Sequence, residues 1–183
     1  MRHLAMVLLL LTPGVAFADL AGKAAALDGD TLAIGGQEVS LHGIDAPPIG
    51  QSCGEGEGNW LCGWDAADRL EEFIADREVV CVEVARSDSD EISGLCTVDG
   101  EDLGGMMVDE GLAIITGEGG EDYRERELAA ADSGTGLWSG SFADPSNWDE
   151  PDSCSCTARK QAMLETAEAL KAQRASQEEE AAE

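Results

Sequence analysis

The sequence predicts an α+β fold: a small β-barrel of OB type with packed helices, followed by a C-terminal helical tail. Residues 20–44 carry hairpin signals, with strand-like runs broken by Asp-Gly-Asp and Gly-Gly turns. Two β-branched runs, Val79 to Val84 and Ile92 to Val98, give further strands. Stretches of helical spacing lie around these short strands.

The elements follow in order. Leu27 runs into Asp28-Gly29-Asp30, and Thr31 to Ile34 reaches Gly35-Gly36. Val39 to Ile44 is the expected returning strand. Pro47, Pro48 and Gly50 open a glycine- and acid-rich loop that lasts through Gly58. Residues 63–76 read as a helix, with Ala66, Ala67, Leu70, Phe73 and Ile74 on one face. After the strand at Val79, Asp99-Gly100 turns the chain out of the run ending at Val98. Residues 102–110 form a short helix closed by Gly111. Leu112 to Ile115 is a short strand, and residues 121–132 are a further helix. Beyond Trp148, Pro151, Asp152 and Ser153 break the pattern. Residues 157–183 are rich in Ala, Glu, Gln and Lys, which favour helix. Met163, Ala167, Leu170 and Arg174 share a narrow face there. It reads as a solvated helix or as a docking helix for a protein partner.

The first 18 residues are a targeting segment. Arg2 and His3 precede an uncharged, Leu-rich stretch ending in Ala16-Phe17-Ala18, a small-x-small cleavage pattern. The stretch is too short to span a bilayer comfortably. The expected organisation is a signal peptide over 1–18, a barrel domain over 19–150 and a tail over 151–183. The mature chain is expected to be exported, periplasmic or secreted, with no membrane attachment after cleavage.

Export sets how the six cysteines read: Cys53, Cys62, Cys81, Cys96, Cys154 and Cys156. An oxidising compartment favours disulfides. Six cysteines allow 15 complete pairings. Short loops make Cys53–Cys62 and Cys81–Cys96 the natural pairs, each worth roughly 3 kcal/mol for a loop of about 15 residues. Cys154 and Cys156 are expected to be structural, with their partners open.

Charge narrows the function. Of 183 residues, 38 are acidic and 11 basic, a net charge of -27. Between Asp19 and Glu150 there are six basic residues against 31 acidic ones, a net of -25. Such a surface repels polyanions and argues against nucleic acid as a partner. Acidity of this kind also suits a salty habitat or plain solubility. Trp60, Trp64, Trp138 and Trp148 are expected to pack rather than to stack on bases, and His42 to serve packing or surface rather than a metal.

Residues 27–48 carry a sharper signal. Leu27-Asp28-Gly29-Asp30-Thr31 followed by Leu41-His42-Gly43-Ile44-Asp45-Ala46-Pro47 resembles the thermonuclease, or staphylococcal-nuclease-like, family. Gln51, Cys62-Gly63, Val98-Asp99-Gly100, Gly111-Leu112-Ala113, Tyr123 and Gly136-Leu137-Trp138 follow in the family's order. The resemblance covers about residues 20–148. It implies a five-stranded OB-fold barrel with three helices. It also implies phosphodiester hydrolysis with one calcium ion, held by two aspartates and a backbone carbonyl, a glutamate to position water, and two arginines to stabilise charge on the transferring phosphoryl group.

Carried over position by position, the metal aspartates match Asp30 and Asp45, the carbonyl donor matches Ala46, and Asp28 matches a supporting acid. The catalytic half departs from the family. Ser40 stands at the first arginine, Pro48 at the glutamate, and Glu91 at the second arginine, which inverts its charge. No residue is therefore assigned a catalytic role. A general base is worth on the order of 10²–10⁴ in rate and such an arginine about 10³–10⁵. The favoured expectation is a catalytically degenerate binding or structural module with a calcium site. The alternative is a working calcium-dependent nuclease in which Glu55, Glu57 and Arg86 substitute. A third reading is a calcium-stabilised acidic domain without phosphate chemistry. In the plainest one, the aspartates only cap turns.

Overall fold

The computed structural model describes residues 19–54, 59–117 and 119–148. The expected targeting segment, Glu55 and Glu57, and the tail with Cys154 and Cys156 lie outside the described residues.

Five strands close a mixed barrel: β1 (Asp19–Ala26), β2 (Thr31–Ile34), β3 (Gln37–Leu41), β5 (Glu78–Arg86) and β6 (Ile92–Val98). Their order is β3-β2-β1-β5-β6 with antiparallel neighbours, and β3 pairs with β6 in parallel to complete the ring. Closure removes the exposed edges that an open sheet of this size would present. With three helices packed on it, this is the α+β, OB-like architecture the sequence predicts. Alternation selects the lining: Leu32, Ile34, Val39, Leu41, Val79, Cys81, Ile92, Cys96 and Val98 all point inward.

The expected single strand from Val39 to Ile44 is two strands. β3 ends at Leu41, and β4 (Ile44–Asp45) leaves the barrel to pair with β8 (Ile114–Ile115). Gly43 breaks the run, with φ of +83° and a backbone so close to Gly119 and Gly120 that a side chain would collide. The last expected strand shortens from four residues to two for the same reason: only Ile114 and Ile115 face β4. A two-residue strand, β7 (Glu101–Asp102), adds to β6.

The helix α1 (Cys62–Ile74) buries Ala66, Ala67, Leu70, Phe73 and Ile74, the face read from the sequence. It ends where Ala75 and Asp76 take left-handed conformations. Its start has no side-chain cap at Leu61. The Cys53–Cys62 disulfide pins it instead (Cα–Cα 5.7 Å), and Gly63 lies so tightly under the Pro48 carbonyl that a Cβ would overlap it. The second bridge, Cys81–Cys96, joins directly opposed residues of β5 and β6. Both pairings match the expectation. α2 (Leu103–Asp109) is capped by Asp102, whose carboxylate accepts from Gly104 N at 3.2 Å and Gly105 N at 3.1 Å. The helix expected over 121–132 is a 3-10 turn, Gly120–Tyr123, followed by α3 (Arg124–Ser133).

Candidate functional site

Asp28 acts by its charge on both Asp30 and Asp45, which places the three aspartates in one corner of the molecule. The turn joining β1 to β2 carries Asp28 and Asp30, and the exit of β4 carries Asp45 and Ala46. Asp28 Oδ1 accepts from Asp30 N at 3.0 Å, which fixes the turn. Asp30 Oδ2 then accepts from Ala46 N at 2.6 Å, and Oδ1 accepts from Thr31 Oγ1 at 2.9 Å. The bond to Ala46 ties two segments that lie 16 residues apart in sequence. Gly29 sits on the Cβ atoms of Ala46 and Ala66, so the turn, the β4 exit and α1 pack together.

The charges in this corner are unbalanced. Burial, followed by the negative charge of Asp28, pushes the Asp30 carboxyl well above the usual carboxylate range, against its hydrogen bonds from Ala46 and Thr31. Asp45 is half-buried and is also raised, first by desolvation and then by Asp144 and Asp28. The charges acting on both groups are therefore negative.

Hard oxygen donors with unopposed negative charge suit a hard divalent cation. Asp30, Asp45 and the Ala46 carbonyl are the residues that would hold one, with Asp28 behind them. Among the described residues, no three acidic, histidine or cysteine side chains converge as a ready-made metal cage. Such an ion would draw its remaining ligands from backbone and water.

Ser40, Pro48 and Glu91, where the sequence departs from the thermonuclease pattern it resembles, lie in strand, loop and turn settings of their own. Ser40 is exposed on β3, opposite Thr31 and Ser93. The Pro48 carbonyl accepts from Gln51 N at 2.9 Å. Glu91 turns back on its own hairpin, its Oε2 accepting from Ser89 Oγ at 2.9 Å and Ser87 Oγ at 3.2 Å. Arg86 gives Nε to Glu83 at 3.0 Å and Nη2 to Glu83 at 2.6 Å, and reaches Asp90 at 3.5 Å. The other arginines among the described residues are bound too: Arg69 to Glu72 and Glu110, Arg77 to Asp99, Arg124 to Glu121 and Arg126 to Asp109.

His42 donates to or accepts from Ser93 Oγ through Nδ1 at 2.9 Å, with its ring against Gly119. Trp64 packs with Ile49 and Ala67, Trp60 packs against the core, and Trp138 meets Phe142 edge-on at 5.3 Å. Two further residues bear on this corner: Gln51, which the sequence offered only as one of the matching positions, and Asp144. Gln51 is fully buried and donates Nε2 to Ala143 O at 2.7 Å, which draws residues 143–145 over the loop after β4. That brings the Asp144 charge to bear on Asp45.

No helix among the described residues is long and apolar enough to cross a membrane. No family model matches the chain. The chain is similar to the succinoglycan biosynthesis protein ExoI of Rhizobium meliloti (strain 1021), 31% identical over 121 residues, a match covering 64% of this chain and 63% of that protein.

Proposed function

We propose that the protein is an exported thermonuclease-like module that has kept the barrel and the metal-binding corner and lost phosphodiesterase chemistry. It acts by binding or as a structural component. One observation carries the reading. At the position where the family places a charge-stabilising arginine, Glu91 is folded onto Ser87 and Ser89. A phosphoryl group whose oxygens gain negative charge would meet a carboxylate there. Arg86, the nearest replacement, is held by Glu83 and Asp90. Two disulfides support an oxidising, extracytoplasmic setting. The similar Rhizobium protein is named for succinoglycan biosynthesis, which supports a role near that process.

Calcium belongs to this proposal as the ion of Asp30, Asp45 and the Ala46 carbonyl. When bound, it would supply positive charge to the corner. Asp28 orders the turn, and Asp30 holds the Ala46 amide, which ties the turn to the segment after Asp45. The test is cleavage of single-stranded DNA by the mature chain, with calcium and with chelator, beside Asp45→Ala. Wild type is expected to match its chelated control. Calcium-dependent cutting that disappears in Asp45→Ala would establish the relocated-nuclease alternative instead.

A further inference from the structure

The outer face of the β5–β6 hairpin leaves an apolar stripe in water. Val82 is 45% exposed, Val84 36% and Leu95 43%. Val82 and Leu95 are directly opposed across the two strands, and half-buried Val80 extends the row toward the other end of β5. Both ends of the stripe carry more acidic than basic residues, with Lys23 opposite Glu78 at one end and Arg86, paired with Glu83 and Asp90, at the other. Exposed Glu78 begins β5, and exposed Asp88, Asp90 and Glu91 lie in and just after the turn that follows it. Asp19 of β1 pairs beside Val82. Barrel interiors need large apolar side chains, but the solvent face of a strand does not, so three together ask for a cover.

The chain carries a segment of matching pattern. Residues 157–174 hold Arg159, Lys160, Lys171 and Arg174 against Glu165 and Glu168, a net charge of +2 on a protein of net charge -27. Placed on a helix, Lys160, Met163, Ala167, Leu170 and Arg174 share one face about 80° wide, apolar in the middle and cationic at both ends. Lys160 to Arg174 covers about 21 Å of helix. β5 runs nine residues from Glu78 to Arg86, about 27 Å of strand. Basic side chains reaching outward from both helix ends close the difference. Eleven residues, 149–159, link Trp148 to Lys160. Extended, they reach about 40 Å, comparable with the diameter of a domain of this size.

We propose that residues 157–174 of this chain dock on the β5–β6 stripe. Met163, Ala167 and Leu170 lie over Val82, Val84 and Leu95, and the basic ends face Glu78 and the acids of the β5–β6 turn. The tail thereby covers the apolar face of the barrel and offsets part of its charge.

The test uses the full mature chain. Hydroxyl-radical footprinting read by mass spectrometry reports side-chain access at Val82, Val84 and Leu95. In the variant Met163→Asp/Leu170→Asp, oxidation of these three residues is expected to rise several-fold, while that of the buried Leu32 and Val79 stays level. In wild type, carbodiimide is expected to couple Lys160 or Lys171 to Glu78, Asp88, Asp90 or Glu91 within the monomer band. Unchanged oxidation in the variant overturns the proposal. So does protection that fades on dilution together with a dimer on sizing, which would make a second copy the cover.

Discussion

Asp30 spends both carboxylate oxygens on hydrogen bonds, from Thr31 and from Ala46, yet its proton is harder to remove than usual because of burial and Asp28. The sign of the consequence is fixed. With its folded pKa above the ordinary value of about 3.9, the folded chain binds more protons than the unfolded one between those two values. Metal-free stability should fall as pH rises through that window, the reverse of an ion-paired carboxylate. Asp30→Asn is expected to flatten this dependence and to raise the metal-free melting temperature at neutral pH, since Asn can still accept from Ala46 and meet Thr31. Calcium should then raise the melting temperature of wild type and leave Asp30→Asn nearly unmoved. Thermal melts across pH, with calcium and with chelator, check both. Asp28, Asp30 and Asp45 were legible because their spacing along residues 28–46 is local. Asp144 and the part Gln51 plays were not, because the bond that recruits them joins residues 92 apart.

Single elements show where propensity and contact part company. The face of α1 was readable from its period, because Ala66, Ala67, Leu70, Phe73 and Ile74 recur at helical spacing and all are buried. The break between β3 and β4 was not, because Gly43 yields to contacts with Gly119 and Gly120 that no local pattern encodes. The start of α1 lacks a side-chain cap and depends on the Cys53–Cys62 bridge and on Gly63. Replacing both cysteines with serine is expected to cost roughly 2–4 kcal/mol in denaturant titrations. Gly63→Ala is expected to cost at least as much as an ordinary overpacked core site, about 1–3 kcal/mol, since backbone rather than a flexible side chain stands in the way. Leu70→Ala, in the middle of the buried face, should cost about 2–5 kcal/mol.

At the scale of the whole molecule, composition and architecture agree. The barrel closes on a core of β-branched and leucine side chains, and the sequence from Asp19 to Glu150 carries a net charge of -25. All five arginines of the described residues are paired with carboxylates of the same chain. A polyanion approaching the Asp30–Asp45 corner would meet repulsion that only salt relieves. The proposed loss of hydrolysis is addressed directly by one assay: cleavage of single-stranded DNA by residues 19–183 across a salt titration, with calcium and with chelator, beside Asp45→Ala. Intact DNA is expected in every lane, from a sample whose melting transition shows it folded. Calcium-dependent fragments that vanish with Asp45→Ala would contradict it.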